Sequence, residues 1–158
     1  MEVGSKRELI LPMDETTGGP LKFQMRLPSD PRLLAVVRRT VSGLAAAWGF
    51  EDDQCRCITL AVDEALSNVI RHAYKNRCDQ EIEMSFQAHV DCLEFTIVDH
   101  GEPVDRSKWC AQPLDAAALG GRGTHMIRQI MDEVSYERVS EGNRVRLKKC
   151  LPGARRRS

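Results

Sequence analysis

Between residues 29 and 75 the apolar side chains recur at helical spacing almost without interruption, and on both sides of that stretch the spacing drops to two. Such a change of period sorts helices and strands into separate runs, which restricts the chain to layered architectures with helices covering a sheet. Ser29, Asp30 and Pro31 open the first helix, because a capping oxygen followed by proline suits the unsatisfied amides of a first turn. Leu33, Leu34, Val37, Val41, Leu44 and Ala45 carry its stripe to Trp48, where Gly49 can take the left-handed C-terminal conformation. A second helix is predicted over residues 52–75, with Ile58, Val62, Ala65, Leu66, Val69, Ile70 and Ala73 on its apolar side.

The flanking segments read as strands. Leu21, Phe23, Met25 and Leu27 alternate with Lys22, Gln24 and Arg26, the pattern of a half-buried strand. Ile82, Met84, Phe86 and Ala88, then Leu93, Phe95 and Ile97 beyond a turn at residues 90–91, predict an antiparallel hairpin. A short helix through Met131 precedes a closing hairpin made of Val134 and Tyr136, the turn Glu141-Gly142-Asn143, and Val145 and Leu147. The order β-α-α-β-β-loop-α-β-β places the chain in the α+β class: a two-layer α/β sandwich, its mixed, mostly antiparallel sheet covered by helices on one face.

A length of 158 residues suits one domain, and 42% hydrophobic with 29% charged residues suits an ordinary globular core. The expected organisation is a loose arm over residues 1–20, closed by Thr16, Thr17, Gly18, Gly19 and Pro20 and carrying one short strand at residues 9–11, then a domain over residues 21–151 and a basic tail over residues 152–158. Lys+Arg and Asp+Glu both number 23, so no global field draws the chain to nucleic acid or anionic lipid, and Arg155, Arg156 and Arg157 read as a solvated end. No apolar run approaches the roughly 18 residues needed to span a bilayer and the opening segment is too short in apolar residues for a signal peptide, so a cytoplasmic protein is expected. Cys55, Cys57, Cys78, Cys92, Cys110 and Cys150 contain no C-x-x-C pair and are expected to be reduced, mostly buried thiols.

Three short pieces carry chemistry. Glu64 and Asn68 stand four apart on the second helix and therefore face one site, with Arg71 on the same edge. A carboxylate can accept a proton, an amide oxygen suits Mg²⁺, and a guanidinium can reach a phosphate. Asp99-His100-Gly101-Glu102-Pro103 follows an apolar strand, offering an acceptor beside a backbone that a flat ring can approach. The 6-amino group of adenine donates where the 6-oxo group of guanine accepts, so ionised Asp99 should prefer ATP to GTP. Gly120, Gly121, Arg122, Gly123 and Thr124 run into an apolar helix, where free amides and the helix dipole favour phosphates. Each piece alone also fits a bland reading: a solvated helix face, a strand-ending turn, a flexible connector.

Together and in this order the pieces are specific. The chain resembles the GHKL (Bergerat-fold) ATPases, and within them the anti-sigma factor serine/threonine protein kinases of bacterial partner-switching systems. The E-x-x-x-N helix is matched by Glu64 and Asn68 and its N-x-x-x-H-A extension by Asn68, His72 and Ala73. The D-x-G-x-P motif is matched by Asp99, Gly101 and Pro103, and the G-G-x-G motif by Gly120, Gly121 and Gly123, with M-D-E-V following at residues 131–134. Thr124 and His125 depart from the apolar residues usual at that helix start. The resemblance implies an ATP- and Mg²⁺-dependent switch that sequesters a sigma factor or similar client and phosphorylates serine or threonine on an anti-sigma factor antagonist of the STAS type, with homodimerisation possible. It implies Glu64 as the base, Asn68 as the Mg²⁺ ligand, Asp99 as the adenine reader, and residues 104–119, with Trp109, Cys110 and Pro113, as a lid. His72 and His125 take supporting roles. A non-catalytic ATP-gated binding module is the alternative, and a histidine-kinase fragment is disfavoured because no upstream helix pair carries an acceptor histidine.

Overall fold

The computed structural model describes residues 21–103, 122–140 and 142–153. The elements run β1 (Leu21–Pro28), a 3₁₀ turn (Pro31–Leu33), α1 (Leu34–Ala47), α2 (Asp52–Asn68), a π-helical turn (Val69–Ala73), β2 (Glu81–Ala88), β3 (Cys92–Asp99), α3 (Arg122–Ile130), β4 (Glu133–Val139) and β5 (Gly142–Cys150). The predicted order of elements is reproduced throughout these residues. Five strands form one sheet in the order β1-β2-β3-β5-β4, antiparallel at every pairing. The expected strand at residues 9–11, the arm that contains it and residues 104–119 lie outside the described residues.

Register follows from burial. Ile82, Met84, Phe86 and Ala88 of β2 and Leu93, Phe95 and Ile97 of β3 all face the helical layer, and a one-residue slip would send the whole set to water. Phe86 and Phe95 are cross-strand partners with ring centroids 5.5 Å apart. From the other layer come Val41 and Ala45 of α1 and Ile58, Val62 and Leu66 of α2, with Ile127 of α3 sealing the far end. Fully burying an Ile or Leu side chain stabilises the fold by about 1.5–3 kcal/mol. The opposite sheet face is polar, carrying Glu83, Ser85, Thr96, Arg144 and Arg146.

The ends of the helices obey local chemistry. Asp30 accepts from the Arg32 amide at 2.9 Å with Pro31 beside it, the arrangement expected for this start. Gly49 has φ +98°, a conformation that L side chains rarely adopt, and so ends α1 as the sequence predicts. A reciprocal capping box between Glu51 and Gln54 opens α2. Trp48 Nε1 donates to the His89 carbonyl at 3.0 Å, tying the end of α1 to the β2–β3 turn.

One expectation fails. Cys92 and Cys150 are joined in a disulfide, not held as reduced thiols. They are 58 residues apart in sequence but directly opposed where β3 begins and β5 ends, a proximity that only the strand pairing creates. Cys55 is a buried free thiol as expected, whereas Cys57 and Cys78 are free and exposed.

Candidate functional site

The second helix organises the site. Glu64 and Asn68 share one edge of α2, and a single guanidinium nitrogen of Arg71 bridges them, 2.9 Å from Glu64 Oε1 and 3.0 Å from Asn68 Oδ1. A positive group therefore already sits between the two oxygens that a cation would seek. Asn68 is almost wholly buried, and its Nδ2 finds no hydrogen-bond partner among the described residues. An unsatisfied buried donor costs about 1–3 kcal/mol and persists where something else completes it. The donor set, one carboxylate and one amide oxygen with a displaceable cation between them, fits a hard divalent ion such as Mg²⁺.

Beyond Asn68 the helix widens into the π-helical turn, so the predicted single helix is α-helical only to Asn68. Such turns recur at functional positions because they redirect a few side chains and carbonyls. Here the Ala73 carbonyl accepts from the Glu102 amide at 3.4 Å, which docks the segment after β3 onto the end of the helix. A Cβ at Gly101 would lie 2.6 Å from that carbonyl oxygen. Glycine is needed at this position for close approach of two backbones.

Asp99 ends β3 with 2% exposure. Its Oδ1 accepts from the Gly101 amide at 2.9 Å and from Asn143 Nδ2 at 2.8 Å. Both bonds fall on the same oxygen, so Oδ2 is the acceptor that can face a ligand amine. Burial pushes the Asp99 carboxyl above the usual carboxylate range, and the Asn143 and Gly101 bonds and the charges of His100 and Arg138 pull it back. Asn143 also donates to the Glu102 carbonyl at 3.0 Å, while Arg138 Nη1 bonds the Gly101 carbonyl at 3.1 Å and Asn143 Oδ1 at 3.2 Å. On the other side the His100 amide donates to the Tyr74 hydroxyl at 2.8 Å. Pro103 is exposed at the edge of this segment.

The third piece meets the first. Among the described residues α3 starts at Arg122, so Gly123 is already helical and does not lie ahead of the helix as the motif suggests. First-turn amides have no acceptor within their own helix, the property that lets a helix start receive an anion. A Cβ on Gly123 would collide with the Glu64 carboxylate, which places the start of α3 directly against the α2 carboxylate. Buried Ile127 and Met131 anchor α3, so the departures at half-buried Thr124 and exposed His125 leave its packing intact. Gly120 and Gly121 lie outside the described residues. His72 is exposed.

The described residues thus bring Glu64, Asn68, Arg71 and Gly123 together at one end of a stretch of helix, and Asp99 and Gly101 at its other end. Glu64 and Ala73 are nine positions apart, about 13 Å at helical rise. Sequence reasoning missed Asn143, Tyr74 and Arg138. Asn143 lies 44 positions from the carboxylate it holds, and in the sequence it read only as a turn residue.

Comparisons with known proteins show the family and the fold. A family model described as histidine kinase-like ATPase domain matches residues 27–149. The chain is 30% identical over 141 residues to the serine-protein kinase RsbW of Bacillus subtilis, across 84% of this chain and 88% of that protein. It is 32% identical over 120 residues to the serine-protein kinase RsbW of Oceanobacillus iheyensis, across 71% of this chain and 76% of that protein. The crystal structure of the RsbU and RsbW domains of a Mycobacterium tuberculosis protein shares the fold, with TM-score 0.60 and 16% identity over 83% of this chain and 32% of that one. With the match extending from the end of β1 almost to the end of β5, the chain belongs to the histidine kinase-like ATPase family.

Proposed function

We propose that the protein is an ATP-dependent serine/threonine protein kinase that sequesters a sigma factor or similar client and phosphorylates an anti-sigma factor antagonist. The observation that carries this reading is the position of the Glu64 carboxylate, beside Asn68 and against the first turn of α3. A carboxylate in that position can take the proton of an acceptor hydroxyl brought up to the nucleotide. As a general base it has a task.

Asp99 Oδ2 accepts the 6-amino group of adenine, and the glycine backbone at Gly101, with Pro103 beyond it, lets the ring lie close. The first-turn amides of α3 at Arg122, Gly123 and Thr124, preceded by Gly120 and Gly121, receive the phosphates. Arg71, released from its bridge, turns to a phosphate oxygen. Asn68 Oδ1 would hold Mg²⁺, which would supply neutralisation of charge on the triphosphate. Glu64 then takes the proton from the acceptor hydroxyl as that oxygen forms its bond to the terminal phosphorus and the bond to the departing ADP oxygen breaks. The hydroxyl must come within about 3 Å of Glu64, which only a docked partner brings, so transfer without partner is low. Among the described residues no helix is long and apolar enough to cross a membrane.

The test is incubation with Mg²⁺-ATP and a candidate antagonist, read by mass spectrometry for phosphoserine or phosphothreonine. Wild-type protein transfers phosphate and Glu64→Ala does not, while both bind ATP. Transfer by Glu64→Ala at the wild-type rate removes the base assignment, and ATP-dependent partner capture with no transfer by either form favours the non-catalytic module.

A further inference from the structure

Strand β2 sets Glu81 and Glu83 on the polar face of the sheet, opposite the helical layer, because residues two apart share a face. The β2–β3 register pairs Ile82 with Asp99, so His100, the residue that follows β3, continues past this pair towards Glu81 and Glu83. A ring nitrogen and two carboxylate oxygens from these three residues lie within 4.8 Å of one another, with His100 Nε2 3.7 Å from Glu83 Oε1. We propose that Glu81, Glu83 and His100 form a binding site for a divalent transition metal ion of the zinc class.

Donor chemistry selects the class. One imidazole and two carboxylates suit Zn²⁺, whereas Mg²⁺ and Ca²⁺ favour oxygen ligands throughout. Three protein ligands leave a fourth position for water. With bonds of roughly 2.0–2.1 Å, tetrahedral ligands stand about 3.3 Å apart, so the three ligand atoms, now within 4.8 Å of one another, must draw together on binding. The backbone is already set: buried Tyr74 receives the His100 amide on its hydroxyl and bonds the Glu81 carbonyl, clasping two ligand residues from beneath. Among the described residues the competing cation is Arg26, at 3.9 Å from Glu81 and 3.7 Å from Glu83. These are exposed, solvent-screened pairs of little strength, and a divalent ion displaces them. His100 follows Asp99 in the chain but lies on the other sheet face, so the ion would brace the turn at residues 99–101 without entering the nucleotide cleft.

Titration calorimetry of the full chain with ZnCl₂, without nucleotide, tests the site independently of the kinase reading. A Cys57→Ser/Cys78→Ser/Cys110→Ser background keeps the exposed thiols Cys57 and Cys78, and Cys110 as well, out of the measurement. His100→Ala and Glu83→Gln should each weaken zinc binding at least about tenfold, Arg26→Gln should strengthen it, and magnesium should not compete. Should His100→Ala fail to fold, zinc-induced shifts of the His100 imidazole resonances in the otherwise unmutated background decide. Zinc affinity within twofold of the background in both ligand variants, no zinc binding, effective competition by magnesium, or unshifted His100 resonances overturns the proposal.

Discussion

The two ends of the candidate site are built differently. At the Asp99 end a buried carboxylate accepts two hydrogen bonds, a glycine presses on the Ala73 carbonyl, and Arg138 secures both Gly101 and Asn143. At the Glu64 end, among the described residues, Arg71 alone bonds the side chains of both Glu64 and Asn68, with side chains 25% exposed for Glu64 and 49% for Arg71, and a buried amide donor has no partner. Recognition of a flat ring rewards a preorganised site, because polar groups fixed beforehand lose little freedom on binding. Phosphoryl transfer needs an opening through which phosphates and a partner hydroxyl enter. The Glu64 end is therefore held by contacts that a ligand can replace.

Substitutions can break or sharpen this contrast. The largest expected effect is Glu64→Ala, which lowers phosphoryl transfer at least about 100-fold while fluorescent-nucleotide titration shows ATP affinity changed only a few-fold. Next, Asp99→Asn weakens ATP binding about 10- to 100-fold, the loss of a charge-assisted bond of about 1.5–3 kcal/mol, and narrows the preference over GTP in the same titration. Asn143→Ala should cost about tenfold in ATP affinity and lower the thermal midpoint, because a buried carboxylate loses one of its donors. An unchanged affinity would show that Asp99 is held well enough without it, and the contrast would weaken. Arg71→Gln removes a partly exposed ion pair worth about 0–1 kcal/mol and should barely move the thermal midpoint. A loss comparable to that of Asn143→Ala would mean that the Glu64 end is equally rigid.

The smallest effect is in pH. Burial raises the Asp99 pKa in the folded chain, so the native state takes up a proton at higher pH than the unfolded chain does. Above the raised value the buried charge costs stability. Acidification from there towards the unfolded value relieves that cost, so the Asp99 contribution to stability improves. ATP affinity moves oppositely, since ionised Asp99 accepts the adenine amine in a charge-assisted bond that is stronger than the one its protonated form can make. Titrations at falling pH should show ATP binding weakened above the ordinary carboxylate range in the wild type, with a flatter profile in Asp99→Asn.

Much of the site was legible as motif and little of it as support. Glu64 and Asn68 could be placed together from helical spacing, and Asp99 at a strand end from alternation. Residues with no local signature were invisible. Asn143 reads as part of a hairpin turn, Tyr74 as one more aromatic residue after an apolar stripe, and Cys92 and Cys150 as unrelated thiols. Spacing could not locate the switch from α to π after Asn68 either, because the apolar stripe continues unchanged through Ile70 and Ala73.

What the sequence by itself determined is the order of elements, the faces they bury and the neighbours of Glu64 along its own helix, since periodicity, capping and turn chemistry act over a few residues. Only the tertiary structure decided that Gly123 abuts Glu64, that Asn143 secures Asp99, that Cys92 meets Cys150 and that His100 joins Glu81 and Glu83. These contacts depend on strand order and helix packing, which sum many weak burials across the whole chain and leave no mark on the residues that they bring together.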